Sequence, residues 1–274
     1  MPSPRYGKID QDYGLRLATT LPEEDGPVWM VNLMKYHDVA QYEGKKIPQI
    51  SGREADDRYM PIKPLAAVGA EIVFVGDVEM HLLGDIRTWD RVAVVKYPTR
   101  RSFIDMQGRQ DFQEKHVHKE AGMQETIVMG CLPISSPKVL EGETFADWAK
   151  VEHPPSNDDG PVVVLHVIKF SAGNELGQTP EEMVNYTSKA TEVALRNGAK
   201  GSEWFRVEGT IVGDGRQWDQ VRFNAFPSKA AFMAVVQDQE RLEAQKTYRE
   251  GVITDTYTLL VRPMIDKLTV RTDR

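Results

Sequence analysis

The most constraining feature of this 274-residue sequence is that it contains itself twice. Gly26-Pro27-Val28-Trp29-Met30-Val31-Asn32-Leu33-Met34-Lys35-Tyr36 reads against Gly160-Pro161-Val162-Val163-Val164-Leu165-His166-Val167-Ile168-Lys169-Phe170, and acidic residues precede both. Val78-Glu79 then answers Val207-Glu208, and Gly84-Asp85-Ile86-Arg87-Thr88-Trp89-Asp90 answers Gly213-Asp214-Gly215-Arg216-Gln217-Trp218-Asp219. Pro98 matches Pro227 and Phe103 matches Phe232 in the same register. Spaced matches in a fixed order mean a duplication, so both halves should take one fold.

The duplication sets the boundaries: a polar arm over 1–25, a first repeat over 26–134, a linker over 135–159, a second repeat over 160–266 and a tail over 267–274. Each repeat reads strand, helix, strand, strand, helix, strand. In the second, Val162–Phe170 is β-branched and apolar, and Thr179-Pro180-Glu181-Glu182 is a helix start with Thr at the N-cap. That helix runs to Asn197-Gly198; Glu203–Gly209 and Gln220–Phe226 are strands, Ser228–Gly251 a helix and Asp255–Arg262 the closing strand. The first repeat follows with Val28–Tyr36, a helix over Arg53–Val68, Ile72–Met80, Val92–Tyr97, a helix over Thr99–Ala121, and Thr126–Leu132. His37–Gly52 is an added loop.

Composition narrows the class. With 41% hydrophobic and 27% charged residues the chain is an ordinary globular one, and its net charge of -7 disfavours a sequence-independent nucleic-acid binder. One cysteine, Cys131, makes neither an internal disulfide nor a cysteine zinc site. The N-terminus lacks an apolar signal core, and no run approaches the roughly 18 apolar residues of a membrane span. A cytoplasmic protein with no membrane partner is expected. Phosphate loops, His-Glu-x-x-His and Gly-x-Ser-x-Gly are all missing from the sequence.

Strands flanking each helix make the split βαβ, ferredoxin-like arrangement, in which four antiparallel strands carry helices on one face. The other face needs cover, and the second repeat can supply it. The expected fold class is therefore α+β: two ferredoxin-like βαββαβ repeats forming an intrachain α/β-barrel, as a monomer or a homodimer. The opening strand, the Gly-x-x-x-x-Trp turn, the aromatic-Pro-Ser/Thr step (Tyr97-Pro98-Thr99; Phe226-Pro227-Ser228) and the following Phe resemble domain of unknown function 1330 (DUF1330), of the dimeric α/β-barrel superfamily. The resemblance covers roughly 26–134 and 160–266. It implies a ligand cavity between the sheet and its helices or its partner sheet. That superfamily includes cofactor-free monooxygenases, isomerases and cyclases, and also haem proteins such as chlorite dismutases.

Residues two apart in a strand share a face. Val164, His166, Ile168 and Phe170 therefore go together, as do Met30, Asn32, Met34 and Tyr36. Gln220, Arg222, Asn224 and Phe226 share a face of the third strand of the second repeat. Trp204 and Arg206 share another, opposite Phe205 and Val207, which read as helix-side packing. Imidazole shuttles protons near neutrality and guanidinium holds a carboxylate or a developing enolate. The expectation is a cofactor-independent enzyme acting on a small apolar or aromatic metabolite. Its pocket should lie on the open face of the sheet, with His166, Arg222 and Asn224 catalytic. Asn32, Tyr36, Trp204, Arg206, Arg58 and Tyr59 are the candidate substrate contacts, the last two beside the added loop. The paired Asp90 and Asp219 read as turn-forming.

His116-Val117-His118 offers an alternative. Histidines two apart on a helix face nearly opposite ways, but His116 with Glu120 is at i,i+4 spacing. A helix-borne histidine is how haem-binding members of the superfamily ligate iron, so the resemblance allows haem or a metal at His116, His118 or Glu120. A third reading is a non-catalytic small-ligand-binding barrel.

Overall fold

The computed structural model describes residues 4–44, 49–135, 146–171 and 178–269. Its elements are β1 (Lys8–Ile9), α1 (Gln11–Thr19), β2 (Val28–Tyr36), α2 (Gly52–Tyr59), α3 (Ile62–Ala67), β3 (Glu71–Leu83), β4 (Arg91–Tyr97), α4 (Arg100–Gln107), α5 (Gln110–Gly122) and β5 (Met123–Ile134). Then come β6 (Val162–Phe170), α6 (Glu181–Arg196), β7 (Lys200–Gly213), β8 (Gln220–Phe226), α7 (Lys229–Gln237), α8 (Gln239–Ala244), a π-helical turn (Gln245–Arg249) and β9 (Ile253–Asp266). No helix among the described residues is long and apolar enough to cross a membrane.

Two compact units result, and each draws on both halves of the sequence. The first comprises residues 1–75, 88–132 and 208–217; the second comprises 76–87, 133–207 and 218–274. In the first the strand order is β1-β7-β5-β2-β4-β3, with β7 supplying residues from 208 onward. In the second it is β3-β9-β6-β8-β7, with β3 supplying residues from 76 onward. The strands β2 to β5 and the strands β6 to β9 therefore each stand in the order fourth, first, third, second.

β6 shows how sequence becomes position. Its near-continuous apolar run is the signature of a strand buried on both faces. Val162 and Val164 pack in a cluster with Val193 of α6 and with Phe232 and Val235 of α7, so the even-numbered side chains look toward the helices. Val163, Leu165 and Val167 are buried on the opposite face. Antiparallel pairing sets His166 opposite Arg222 and Thr258, and in the first unit sets Asn32 opposite Ala93 and Val128. Asp90 and Asp219 do the same job twice: each accepts the backbone N–H of the residue closing β2 or β6 (Tyr36 2.8 Å, Phe170 2.7 Å) and the preceding lysine.

The structure departs from the sequence reading at several points. The arm holds a helix: the Asp10 carboxylate caps α1 at the Tyr13 N–H (2.9 Å), and Tyr13 and Leu17, one turn apart, are its buried residues. Three of the four helices expected from the pattern break, at Met60-Pro61, at Gly108-Arg109 and at Asp238, while α6 runs unbroken. Asp238 starts α8 afresh by accepting the Arg241 N–H. Thr179 does not cap α6; that position falls to Pro180, and the Thr179 hydroxyl accepts from Gln220 Nε2 instead (2.7 Å).

Tyr13 lies across two glycines of the first unit, Gly130 of β5 and Gly209 of β7. A Cβ on Gly209 would meet the ring carbons at 2.5 Å, and one on Gly130 would strike the phenol. Gly209→Ala is expected to cost about 1–3 kcal/mol of stability by overpacking, read from the urea midpoint. Combined with Tyr13→Ala, it should cost less than the two single changes summed.

Candidate functional site

The larger cavity lies within the second unit and measures about 400 Å³, inside the usual range of ligand pockets. Its floor is the sheet, through Val164 and His166 of β6, Arg222 and Asn224 of β8, Trp204 of β7 and Thr258 of β9. Its roof is helical, through Met183, Tyr186 and Thr187 of α6, Phe232 and Val235 of α7, and Arg241 to Arg249 at the end of the helix layer. Three expected catalytic residues and Trp204 thus line one cavity, but on the helix-covered face of the sheet. The open-face placement was wrong, and so was the reading of Phe205 and Val207 as helix-side. A strand apolar on both faces carries no mark of which side its helices take. Arg206 does not line this cavity.

The polar groups there are bound in sequence. Arg222, 3% exposed, donates from Nε and Nη2 to Gln220 Oε1 (3.0 and 2.6 Å) and from Nη1 to Thr187 Oγ1 (3.1 Å). Its guanidinium lies 4.2 Å from the centre of the Trp204 ring, a cation–π contact. Trp204 Nε1 donates to Asn224 Oδ1 (3.2 Å). Arg249 Nη2 stands 3.1 Å from His166 Nε2. An arginine only donates, so Nε2 accepts and the ring proton sits on Nδ1. Burial, then the Arg249 and Arg222 charges, hold the imidazole well below the usual histidine range. Burial also pushes the Arg222 guanidinium down to about 9 and lowers Arg249.

Arg249 was not among the sequence candidates, and its place has a structural cause. The register that matches Phe103 with Phe232 would match Val128 with Tyr257. The sheet instead pairs Asn32 with Val128 and His166 with Thr258, so the second half of the sequence carries one residue more before its last strand. The π-helical turn at Gln245–Arg249 absorbs it, whereas α5 of the first repeat is a regular helix. Such one-residue expansions recur at functional sites. Tyr186, Thr187 and Arg241 were missed as well, because helix periodicity marks buried positions without saying what they face.

The first unit has its own cavity of about 150 Å³, comparable to one that holds a benzene. Asn32, Tyr59, Asp56, Arg91, His116 and Lys119 border it. Asn32 Nδ2 donates to the Met30 carbonyl (2.9 Å), and Tyr36, beneath the lining, donates to Asp56 Oδ2 (2.6 Å). Arg91 pairs with Asp57 (2.8 Å) and Asp56 (3.3 Å), so this cavity's guanidinium is neutralised. Arg58 is exposed, pairs with Glu54 (2.8 Å) and does not line the cavity.

The histidine alternative divides as helix geometry requires. His116 Nε2 meets the Tyr6 hydroxyl (3.2 Å) and Glu120 (3.4 Å), while His118 Nδ1 meets the Tyr42 hydroxyl (2.7 Å). Glu120 also pairs with Arg5 (3.7 Å). Burial, then Lys119, lowers the His116 imidazole. Among the described residues no three His, Cys, Asp or Glu side chains cluster as metal ligands. The cavity beside His116 measures about 150 Å³, and the larger cavity has its histidine on a strand, within hydrogen-bond distance of an arginine.

No protein-family model matches the chain, and no curated protein matches it. Solved structures do. A provisionally named monooxygenase of Fusobacterium nucleatum aligns at TM-score 0.50 with 10% identity, over 91% of this chain and 98% of its own. A provisionally named chlorite dismutase aligns at TM-score 0.50 with 16% identity, over 88% and 96%. A Rhodopseudomonas palustris protein of unknown function aligns over 48% of this chain and 98% of its own, with 21% identity and TM-score 0.41. At these identities the two full-length likenesses show the fold alone.

Proposed function

We propose that this chain is an acid–base enzyme whose site is the cavity of the second unit, acting without a cofactor on a small, largely apolar metabolite. The observation that carries the reading is a neutral imidazole set between two guanidiniums in a cavity with apolar walls. The chemistry is proton transfer next to a carbonyl. His166 takes the proton, and the Arg222 guanidinium and the Asn224 amide hold the oxygen on which charge develops. Arg249 occupies the Nε2 lone pair, so a substrate that draws Arg249 to itself also uncovers the base. Within the same reading the chain is a DUF1330-like tandem, with ferredoxin-like repeats at 26–134 and 160–266 closing one intrachain barrel. The fourth-first-third-second strand order and the twice-used aspartate support this.

The test is hydrogen–deuterium exchange in D2O, followed by proton NMR, on small aryl and branched-alkyl ketones and 2-oxo acids. Accelerated exchange next to the carbonyl of at least one compound is the expected result. Compounds that bind in the cavity yet exchange only at the background rate would leave a sequestering protein, the second reading.

A further inference from the structure

Resting on that reading of the site, we infer that its ligand is an organic anion: a small carboxylate whose apolar body fills the cavity and whose charge sits at Arg222 and Arg249. Buried charges in proteins are ordinarily paired. Here three arginines (Arg222, Arg241, Arg249) line one cavity, and no aspartate or glutamate lines it among the described residues. Each guanidinium bonds only neutral groups. Arg222 uses Gln220 and Thr187, Arg249 uses His166, and Arg241 uses Tyr186, Gln245 and the Val236 carbonyl.

A second, independent observation points the same way. Arg249 Nε, Arg241 Nε and Thr258 Oγ1 are buried without a hydrogen-bond partner among the described residues. An arginine has five N–H donors, and among the described residues Arg249 engages one of them. Donors left over on a planar fork are what a carboxylate takes up two at a time. The contrast with the first unit is instructive, because there Arg91 is satisfied by Asp56 and Asp57 at the edge of a smaller cavity. The chain's overall charge of -7 makes the cationic cavity a local exception, which focuses an anion toward it. Met183, Phe226, Phe232 and Leu242 supply walls for an aryl or branched-alkyl body.

Calorimetric titration of the full chain with benzoate, its neutral analogue benzamide and phenylphosphonate tests the inference. Benzoate should bind at least about tenfold more tightly than benzamide. Arg249→Met and Arg222→Met should each abolish most of that preference, and because each removes an unpaired buried charge, circular dichroism should show both variants folded. Equal affinity for benzamide, no binding of benzoate, or a preference that survives in both variants would overturn it. A phenylphosphonate bound more tightly than benzoate would overturn the carboxylate assignment. The outcomes separate from those of the exchange assay. Charge-selective binding without exchange sinks the enzyme and keeps the anion site, while exchange on neutral ketones without benzoate binding does the reverse.

Discussion

Replacing His166 with Gln is expected to lower the catalysed exchange rate by about 10²–10⁴-fold, the usual contribution of a positioned general base. The Gln carbonyl can still accept from Arg249, so the cavity keeps its polar frame and benzoate affinity should change by no more than about threefold. The pH profile is the sharper test. The His166 imidazole lies well below the usual histidine range, held there by burial and by the Arg249 and Arg222 charges. A base is active when unprotonated, so wild-type turnover should stay level as pH falls through about 6.5 and decline only below it. Should the Gln variant keep the wild-type rate, His166 is a scaffold residue. A decline centred at an ordinary histidine value would place the base elsewhere.

Arg100→Met should cost about 3 kcal/mol of stability, the low end for breaking a buried ion pair. Arg100 is 8% exposed and joins Glu208 through Nη2 (2.6 Å) and Nε (2.9 Å) within the first unit. Tyr13 donates to the same carboxylate (3.1 Å), and Asp25 accepts the Arg100 and Arg101 N–H groups at the start of α4. Burial opposes the Glu208 charge, but the bonds from Arg100 and Tyr13 outweigh it and lower its pKa. Asp25 is lowered too, against its own burial, by those backbone N–H groups. Carboxylates depressed in the folded state stabilise it above their unfolded values, and that contribution disappears as pH falls through the folded ones. In the variant Glu208 is buried and unpaired and protonates more readily. The gap between wild type and variant in urea titrations should therefore be widest near pH 7 and narrow below about pH 4. A second change, Glu208→Leu, should recover part of the loss; no recovery would put the cost in the lost packing of the Arg100 stem.

How far such a site can be read beforehand depends on which physical signal each part leaves in the sequence. β2, β6 and β8 begin and end where their runs of apolar and β-branched residues do, at Val28–Tyr36, Val162–Phe170 and Gln220–Phe226. His166, Arg222 and Asn224 stood out because a polar residue inside such a run is conspicuous. The face they occupy did not, since Val163 and Val164 look alike whichever side the helices take. Arg249 left no signal at all. It lies 83 residues from His166, and only the extra residue of the π-helical turn brings its guanidinium to the imidazole. α1 was equally quiet, because only two of its side chains, Tyr13 and Leu17, are buried.

β3 and β7 each begin in one compact unit and finish in the other. No single cut through the gene can therefore yield two self-sufficient pieces. A fragment ending after β5 would lack the segment of β7 that borders β5 in the intact chain, leaving a strand edge with open N–H and C=O groups that recruits other chains. Mixed with its complement, it has a better option, since each fragment carries the stretch of strand the other is missing, and complementation by exchange follows.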